Sequence, residues 1–554
     1  MTQRSGAQLL VDQLILHGVD TVFCVPGESY LRVLDALFAQ RDSLRLITAR
    51  QEGGAAYMAE AYGKLTGQPG ICFVTRGPGA GNASIGVHTA FQDSTPLILF
   101  VGQVPRSQVG RDAFQEVDYR SMFAPLAKWV IQIDNAGRIP EFVSRAFHLA
   151  TSGRPGPVVL VLPEDIQGDE VDLPDPLPYQ RVKAAPAPED MQTLRAMLEK
   201  AKRPLLLVGR EGESPVGIAD LRAFVETNEL PAATTVRAQD MLDNRSPYYA
   251  GSLGVGVNPV LLGRIREADL LLVVGSRLDG LSTAGYSLLD IPRPQQAMIH
   301  VYPDPAELGR IYQADLLINA TLPEFAATAR ALKPVDSVHW SAWRELLRQD
   351  YEDYRQPTPA PGAVNLSEIV AHLSQRLPPD AVITTGAGNY TAWVQRFFQF
   401  LTPRTLLGPI SGAMGYGVPA AVAAKIVHPE RVVVSFSGDG CFLMNGQELA
   451  TAMHYSLAII FIVVNNGMYG TIRMHQERHF PGRVYGTSLT NPNFAGYARA
   501  FGASGEVVER TEDFAGAFER ALRAERPALI ELRVDPEAIM PGKKLGELRT
   551  DTKS

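Results

Sequence analysis

A chain of 554 residues exceeds one ordinary domain, and 45% apolar with 20% charged residues describes a folded globular protein, not a disordered or collagen-like one. A net charge of −7 leaves no general basic surface for a phosphate backbone, so small-molecule substrates are expected and a nucleic-acid partner is not. No stretch reaches the roughly 20 uninterrupted apolar residues of a membrane span, so no membrane partner is expected either.

The opening "MTQRSGAQLLVDQLILHGV" reads as an amphipathic helix, because Asp12, Gln13 and His17 interrupt its apolar run and no small-residue cleavage site follows. The cytoplasm is the expected compartment. Short β-rich runs then alternate with helical patterns: Thr21 to Val25, Gly70 to Thr75 and Leu97 to Gly102, then Pro204 to Gly209 and Leu270 to Gly275, then Ala381 to Thr385, Val432 to Phe436 and Ile459 to Val464. Such alternation predicts an α/β fold of doubly wound, mostly parallel sheets with helices on both faces. Two proline-rich stretches, Leu173 to Asp190 and Tyr354 to Val364, read as extended linkers and divide the chain into domains at 1–175, 190–340 and 362–554. Cys24, Cys72 and Cys441 have neither paired nor metal-ligand spacing and are expected as buried free thiols.

Sites in doubly wound folds lie beyond the carboxyl ends of strands. Two such ends carry unusual residues: "SGDG" (Ser437 to Gly440) follows one run, and "NNGMYG" (Asn465 to Gly470) follows the next. Gly438 and Gly440 permit backbone geometries that other residues avoid and let main-chain N–H groups approach a ligand such as a phosphate. Asp439 and Asn466 then offer hard oxygen ligands, and a carbonyl from Met468 a third. With phosphate and water oxygens these make the octahedral shell that Mg²⁺ prefers.

GDG followed at this interval by NN resembles the signature of the thiamine-diphosphate enzymes, and the similarity extends over nearly the whole chain. The stretch from Arg50 to Glu116, opening "RQEGGAAYMAEAYGKLTG", is similar to the pyrimidine-binding domain of acetohydroxyacid (acetolactate) synthases. "SGAMGYGVPAA" (Ser411 to Ala421) with SGDG and NNGMYG is similar to their diphosphate-binding domain, and the segment between them to a Rossmann-like central domain. The resemblance implies that Glu52 is the catalytic glutamate, exchanging a proton with the cofactor's aminopyrimidine. A carboxyl group in a dry pocket suits that exchange near neutrality. It also places Gly27 and Gln115 near the reacting carbons, Gln115 as a hydrogen-bond donor to a developing alkoxide. Met414 would prop the cofactor into a bent form, and the carbonyl of Gly412 would accept from its amino group. Gly386, Ala387, Gly388 and Asn389 would meet the diphosphate with backbone N–H groups. Cys441, Met468 and Tyr469 complete the expected cofactor contacts. The implied cofactors are thiamine diphosphate and Mg²⁺, and the implied assembly is a homodimer or homotetramer with active sites between subunits.

The chain departs from the synthase pattern at several points. Gln51 precedes the glutamate where a histidine is usual, and His475 stands at a position usually held by tryptophan. The segment "RFDDR" becomes "RLDGL", which keeps Arg277 but puts Leu281 in place of an arginine. Lys128 matches a lysine at the channel entrance, where it would steer an anion. In the central domain "LLVGREGES" (Leu206 to Ser214) replaces a triple-glycine turn, which leaves FAD open as a further cofactor. The resulting expectation is an acetolactate synthase-like carboligase or lyase. It would decarboxylate a 2-keto acid such as pyruvate and add the carbanion to an acceptor carbonyl. An aldehyde-releasing decarboxylase, a 2-hydroxy ketone lyase, a flavin-linked oxidase and, more remotely, a non-catalytic regulatory paralogue remain as alternatives.

Overall fold

The computed structural model describes residues 3–211 and 214–549. Three six-stranded sheets, all parallel, organise the chain. The chain divides into two compact units, residues 1–182 with 422–427, and residues 183–421 with 428–554.

In the first unit β1 (Thr21–Cys24), β2 (Arg45–Thr48), β3 (Gly70–Val74), β4 (Leu97–Gln103), β5 (Trp129–Gln132) and β6 (Pro157–Pro163) pair in the order β2-β1-β3-β4-β6-β5. β1, β3, β4 and β6 are buried along their whole length, so their side chains have no solvent face to alternate with. That is why the sequence shows continuous apolar runs in place of a period of two. Helices α1 (Gly6–Leu16), α2 (Glu52–Thr66), α3 (Gly77–Gln92) and α4 (Ile139–Thr151) belong to this unit. Ser5 and Gln8 form a reciprocal capping box at the start of α1.

The second unit holds two sheets. β7 (Pro204–Val208), β8 (Ala232–Thr234), β9 (Tyr249–Ser252), β10 (Leu270–Val274), β11 (Ala297–Tyr302) and β12 (Leu316–Asn319) run in the order β9-β8-β7-β10-β11-β12, the Rossmann order. β13 (Val382–Thr385), β14 (Leu406–Leu407), β15 (Val433–Gly438), β16 (Ile459–Asn465), β17 (Ser504–Val508) and β18 (Ala528–Arg533) run β14-β13-β15-β16-β18-β17. The first and third sheets therefore share one winding. Helices α5 (Thr391–Phe397) and α6 (Gly470–His479) follow β13 and β16. No helix among the described residues is long and apolar enough to cross a membrane, and all three cysteines are buried and free.

The first proline-rich stretch has no helix or strand between residues 172 and 187, as expected, yet it is tied down. Tyr179 donates its backbone N–H to His17 Nδ1 at 3.1 Å and its hydroxyl to Gln68 Oε1 at 2.6 Å, and its ring packs on Phe147. His17 is thus sealed between two aromatic rings. Burial, with a smaller push from nearby His148, lowers its imidazole pKa to about 4. A histidine depressed in the folded state lends stability that is present above its ordinary pKa and is lost as pH falls toward the folded value. Denaturant titrations should therefore show up to about 3 kcal/mol lost between about pH 6.5 and about pH 4 that a His17→Leu variant does not lose. Parallel pH profiles for the two proteins would refute this.

Candidate active site

In a sheet wound 2-1-3 the chain leaves adjacent strands in opposite directions and opens a crevice at their carboxyl ends. In the third sheet that point lies between β13 and β15. There, with the end of β16, the chain lines an open cavity of about 210 Å³. Ala387, Gly388 and Asn389 form its wall after β13; Gly438, Asp439, Gly440 and Cys441 come from the end of β15; Asn466, Met468 and Tyr469 follow β16; Gly412 and Met414 line it as well. The residues expected to hold the cofactor and metal in the second unit thus converge on one cavity. Gly386 is the exception.

Asp439 is buried at the centre. Its Oδ1 accepts the Gly440 N–H at 2.9 Å, and its Oδ2 accepts the Gly467 N–H at 2.9 Å and Asn491 Nδ2 at 2.7 Å. Burial raises its pKa, against the opposing pull of these donors. A carboxylate so desolvated gains from a cation. The two asparagines divide the work: Asn465 is bonded to Asn491, the Gly467 N–H and Glu531, whereas Asn466, whose Oδ1 accepts the Met468 N–H at 3.2 Å, lines the cavity. An isolated antiparallel bridge pairs Met468 with Ser488, made by the flanking Gly467 carbonyl to Leu489 and the Tyr469 N–H to Thr487. Among the described residues no three His, Cys, Asp or Glu side chains cluster as a metal site. A metal here would rest on one carboxylate, an amide oxygen and backbone and ligand oxygens, the set that suits Mg²⁺.

Two expectations about glycine need correction. Gly438 is extended (φ −70°, ψ 160°) and Gly440 is helical, so neither uses its backbone freedom. They are required for space: a Cβ on Gly440 would lie 2.5 Å from Tyr469 Cε1, and one on Gly438 3.1 Å from the Tyr390 ring. The left-handed turn falls instead on Gly467 (φ +69°). Gly386 stands behind the wall. Its N–H donates to Tyr390 Oη at 2.9 Å, so that amide is not offered to a diphosphate. The Asn389 N–H likewise goes to Thr471 Oγ1 at 3.1 Å.

In the first unit the corresponding point lies between β1 and β3. Gly27, just after β1, is extended, and a Cβ there would lie 2.5 Å from Thr75 Cβ. Glu52 opens α2, half-buried, where a carboxylate also favours the helix dipole. Asn82 Nδ2 donates to its Oε2 at 2.9 Å, while Oε1 lies near Gly79. The Gln115 carbonyl accepts the Gly77 N–H at 3.1 Å, from a left-handed backbone of φ +64°. Glu52, Gln115 and Gly27 therefore gather about the turn from Thr75 to Gly79. Gln51 caps α2 by accepting the Gly54 N–H at 3.0 Å, which gives the residue at the histidine position a structural task. No motif in the sequence marks Asn82, Tyr390, Thr471 or Asn491. Only their contacts reveal them.

Lys128 is held at a helix end. Its Nζ donates to the carbonyls of Leu149, Ser152 and Arg154, closing the carboxyl end of α4. Arg277 is half-buried with its guanidinium 3.9 Å from the Glu211 carboxylate. In the same Rossmann-ordered sheet Gly209 donates its N–H to Val274, Glu211 to Gly275 and Gly275 to Val301, while Arg210 pairs with Asp240. Those amides are committed to neighbouring strands, and both arginines face carboxylates. Gly212 and Glu213 of the charged turn lie outside the described residues.

Three family models match the chain. The thiamine pyrophosphate enzyme N-terminal TPP binding domain matches residues 4–122, the central domain 191–329 and the C-terminal TPP binding domain 386–532. The chain belongs to the thiamine pyrophosphate enzyme family. Relatives aligned over nearly its full length include acetolactate synthase large subunits. That of isozyme 2 from Escherichia coli (strain K12) is 33% identical over 537 residues, 96% of each chain. That of Corynebacterium glutamicum (strain ATCC 13032) is 32% identical over 570 residues, 99% of this chain and 90% of its own.

A Lys128→Met change should lower stability by about 2 kcal/mol through the unsatisfied helix-end carbonyls, measured by denaturant unfolding, and leave the salt dependence of substrate KM unchanged. A salt-sensitive KM in the wild type that Lys128→Met abolishes would restore the steering role. Gly440→Ala should drive the Tyr469 ring into the cavity, cost about 1–3 kcal/mol and weaken cofactor binding. Unchanged cofactor titrations would refute that.

Proposed function

We propose that the chain is a thiamine-diphosphate- and Mg²⁺-dependent enzyme that decarboxylates a 2-keto acid such as pyruvate and joins the remaining fragment to an acceptor carbonyl, as in acetolactate formation. The observation that carries this reading is the buried Asp439 beside Asn466 in a glycine-walled cavity at a topological switch point. Asp439, Asn466 and the Met468 carbonyl would hold Mg²⁺, and the amides of Ala387 and Gly388 would meet the diphosphate. Thiamine diphosphate, when bound, supplies the electron sink for carbanion chemistry.

The chain's own residues supply the rest. Asn82 fixes one oxygen of Glu52, so the other gives and takes a proton in a defined direction. Gln115 is rigidly placed through the Gly77 N–H and can donate from its side-chain amide to an oxygen that gains charge. Met414, packed against the third sheet's core, shapes the cavity with Gly412. Two copies of the chain would form the working unit, a homodimer or a pair of them, each active site combining Glu52 of one copy with the Asp439 cavity of another.

The test is pyruvate consumption by purified protein with thiamine diphosphate and Mg²⁺, with products identified and Glu52→Gln run alongside. Acetolactate from the wild type is expected, with turnover reduced at least about 100-fold in the variant and cofactor affinity retained. Free acetaldehyde as the main product would replace ligation with simple decarboxylation. Full activity in Glu52→Gln would remove the glutamate from the chemistry.

A further inference from the structure

Gly386 lies behind the cavity wall, and what grips its carbonyl comes from the other sheet of the same unit. Arg237 follows β8 and is 5% exposed. Its Nη2 donates to the Gly386 carbonyl at 3.0 Å and its Nη1 to Thr385 Oγ1 at 2.9 Å. The backbone of Arg237 is left-handed (φ +60°), a conformation a non-glycine residue holds only where its surroundings impose it. Those surroundings are visible. The Arg237 carbonyl accepts from Arg210 Nε at 3.2 Å and Nη2 at 3.1 Å, and Arg210 is itself paired with Asp240. Asp240 Oδ2 accepts the N–H groups of Thr405 at 2.9 Å and Leu406 at 3.0 Å, at the strand beside β13. A Cβ on Gly408 would lie 3.0 Å from Arg237 Cζ, so that residue clears the guanidinium's path.

In a trans peptide the carbonyl and the following N–H point in opposite directions. Holding the Gly386 oxygen therefore aims the Ala387 N–H away from Arg237, and Ala387 lines the cavity. A cationic donor on the carbonyl also polarises the peptide and strengthens its N–H as a donor. We propose that Arg237 is a positioning residue for the diphosphate, acting through the Gly386–Ala387 peptide group. This rests on the cofactor reading above and adds to it a residue of the Rossmann-ordered sheet.

The experiment titrates full-length wild type, Arg237→Met, Arg237→Lys and Thr385→Val with thiamine diphosphate, inorganic pyrophosphate and thiamine, each with Mg²⁺, and follows thermal unfolding alongside. Arg237→Met should lose about tenfold in affinity for thiamine diphosphate and for pyrophosphate, and little for thiamine, which lacks the diphosphate. Arg237→Lys should recover part of the loss, since an ammonium can hold the Gly386 oxygen, and Thr385→Val should change it little. Lys128→Met serves as a control for lost stability without lost affinity. Equal affinities for thiamine diphosphate in wild type and Arg237→Met, or equal losses for thiamine and thiamine diphosphate, would overturn the positioning role alone. A wild type that takes up no thiamine diphosphate would overturn the cofactor reading, and the inference with it.

Discussion

A parallel sheet covered on both faces commits the backbone donors and acceptors of its strands to one another, so polar groups become available only where strands end. Everything chemical in this chain follows from that constraint. In the third sheet the ends of β13, β15 and β16 meet, and the loops there bury Asp439 among glycines and amides. In the first sheet the turn after β3 gathers Gly27, Glu52 and Gln115. The Rossmann-ordered sheet has the same opportunity and uses it differently: its strand-end amides bind neighbouring strands, and its arginines meet carboxylates or reach across to β13.

Much of this is legible in the sequence because buried parallel strands leave a plain trace. Continuous runs such as "GICFV" and "IIFIVV" have no polar alternation, and β3 and β16 lie where those runs stand. β6 escapes such a reading, since it begins and ends in proline, which reads as punctuation. The GDG and NN pairs are legible because each sits directly behind such a run. Glycines flanking a carboxylate suggest backbone freedom, yet Gly438 and Gly440 serve close approach to tyrosine rings. Sequence cannot separate those two uses of a missing side chain. Lys128 shows a related limit: a long flexible cation is assigned by whatever acceptors lie within reach, here a helix end more than twenty residues away. Asn491 and Asn82 matter only through tertiary contacts with Asp439 and Glu52, and no local spacing announces them.

The carboxylates at the two strand-end sites are held in contrasting ways. Asp439 is enclosed, with three donors around it and burial raising its pKa, an arrangement that favours an incoming cation. Glu52 is half open, with one oxygen fixed by Asn82 and the other near a glycine. The difference lies beyond the strand ends, since the strands beneath are wound identically.

That identical winding has a consequence for how such a chain can change over time. The 2-1-3-4-6-5 order occurs twice in one polypeptide, in sheets that share no strand. Each copy offers its own crevice, and residues at one can be exchanged without disturbing the strands of the other. A duplicated architecture of this kind permits division of labour: the crevice of one copy can take on one chemical task and that of the other a second, and neither has to compromise between the two.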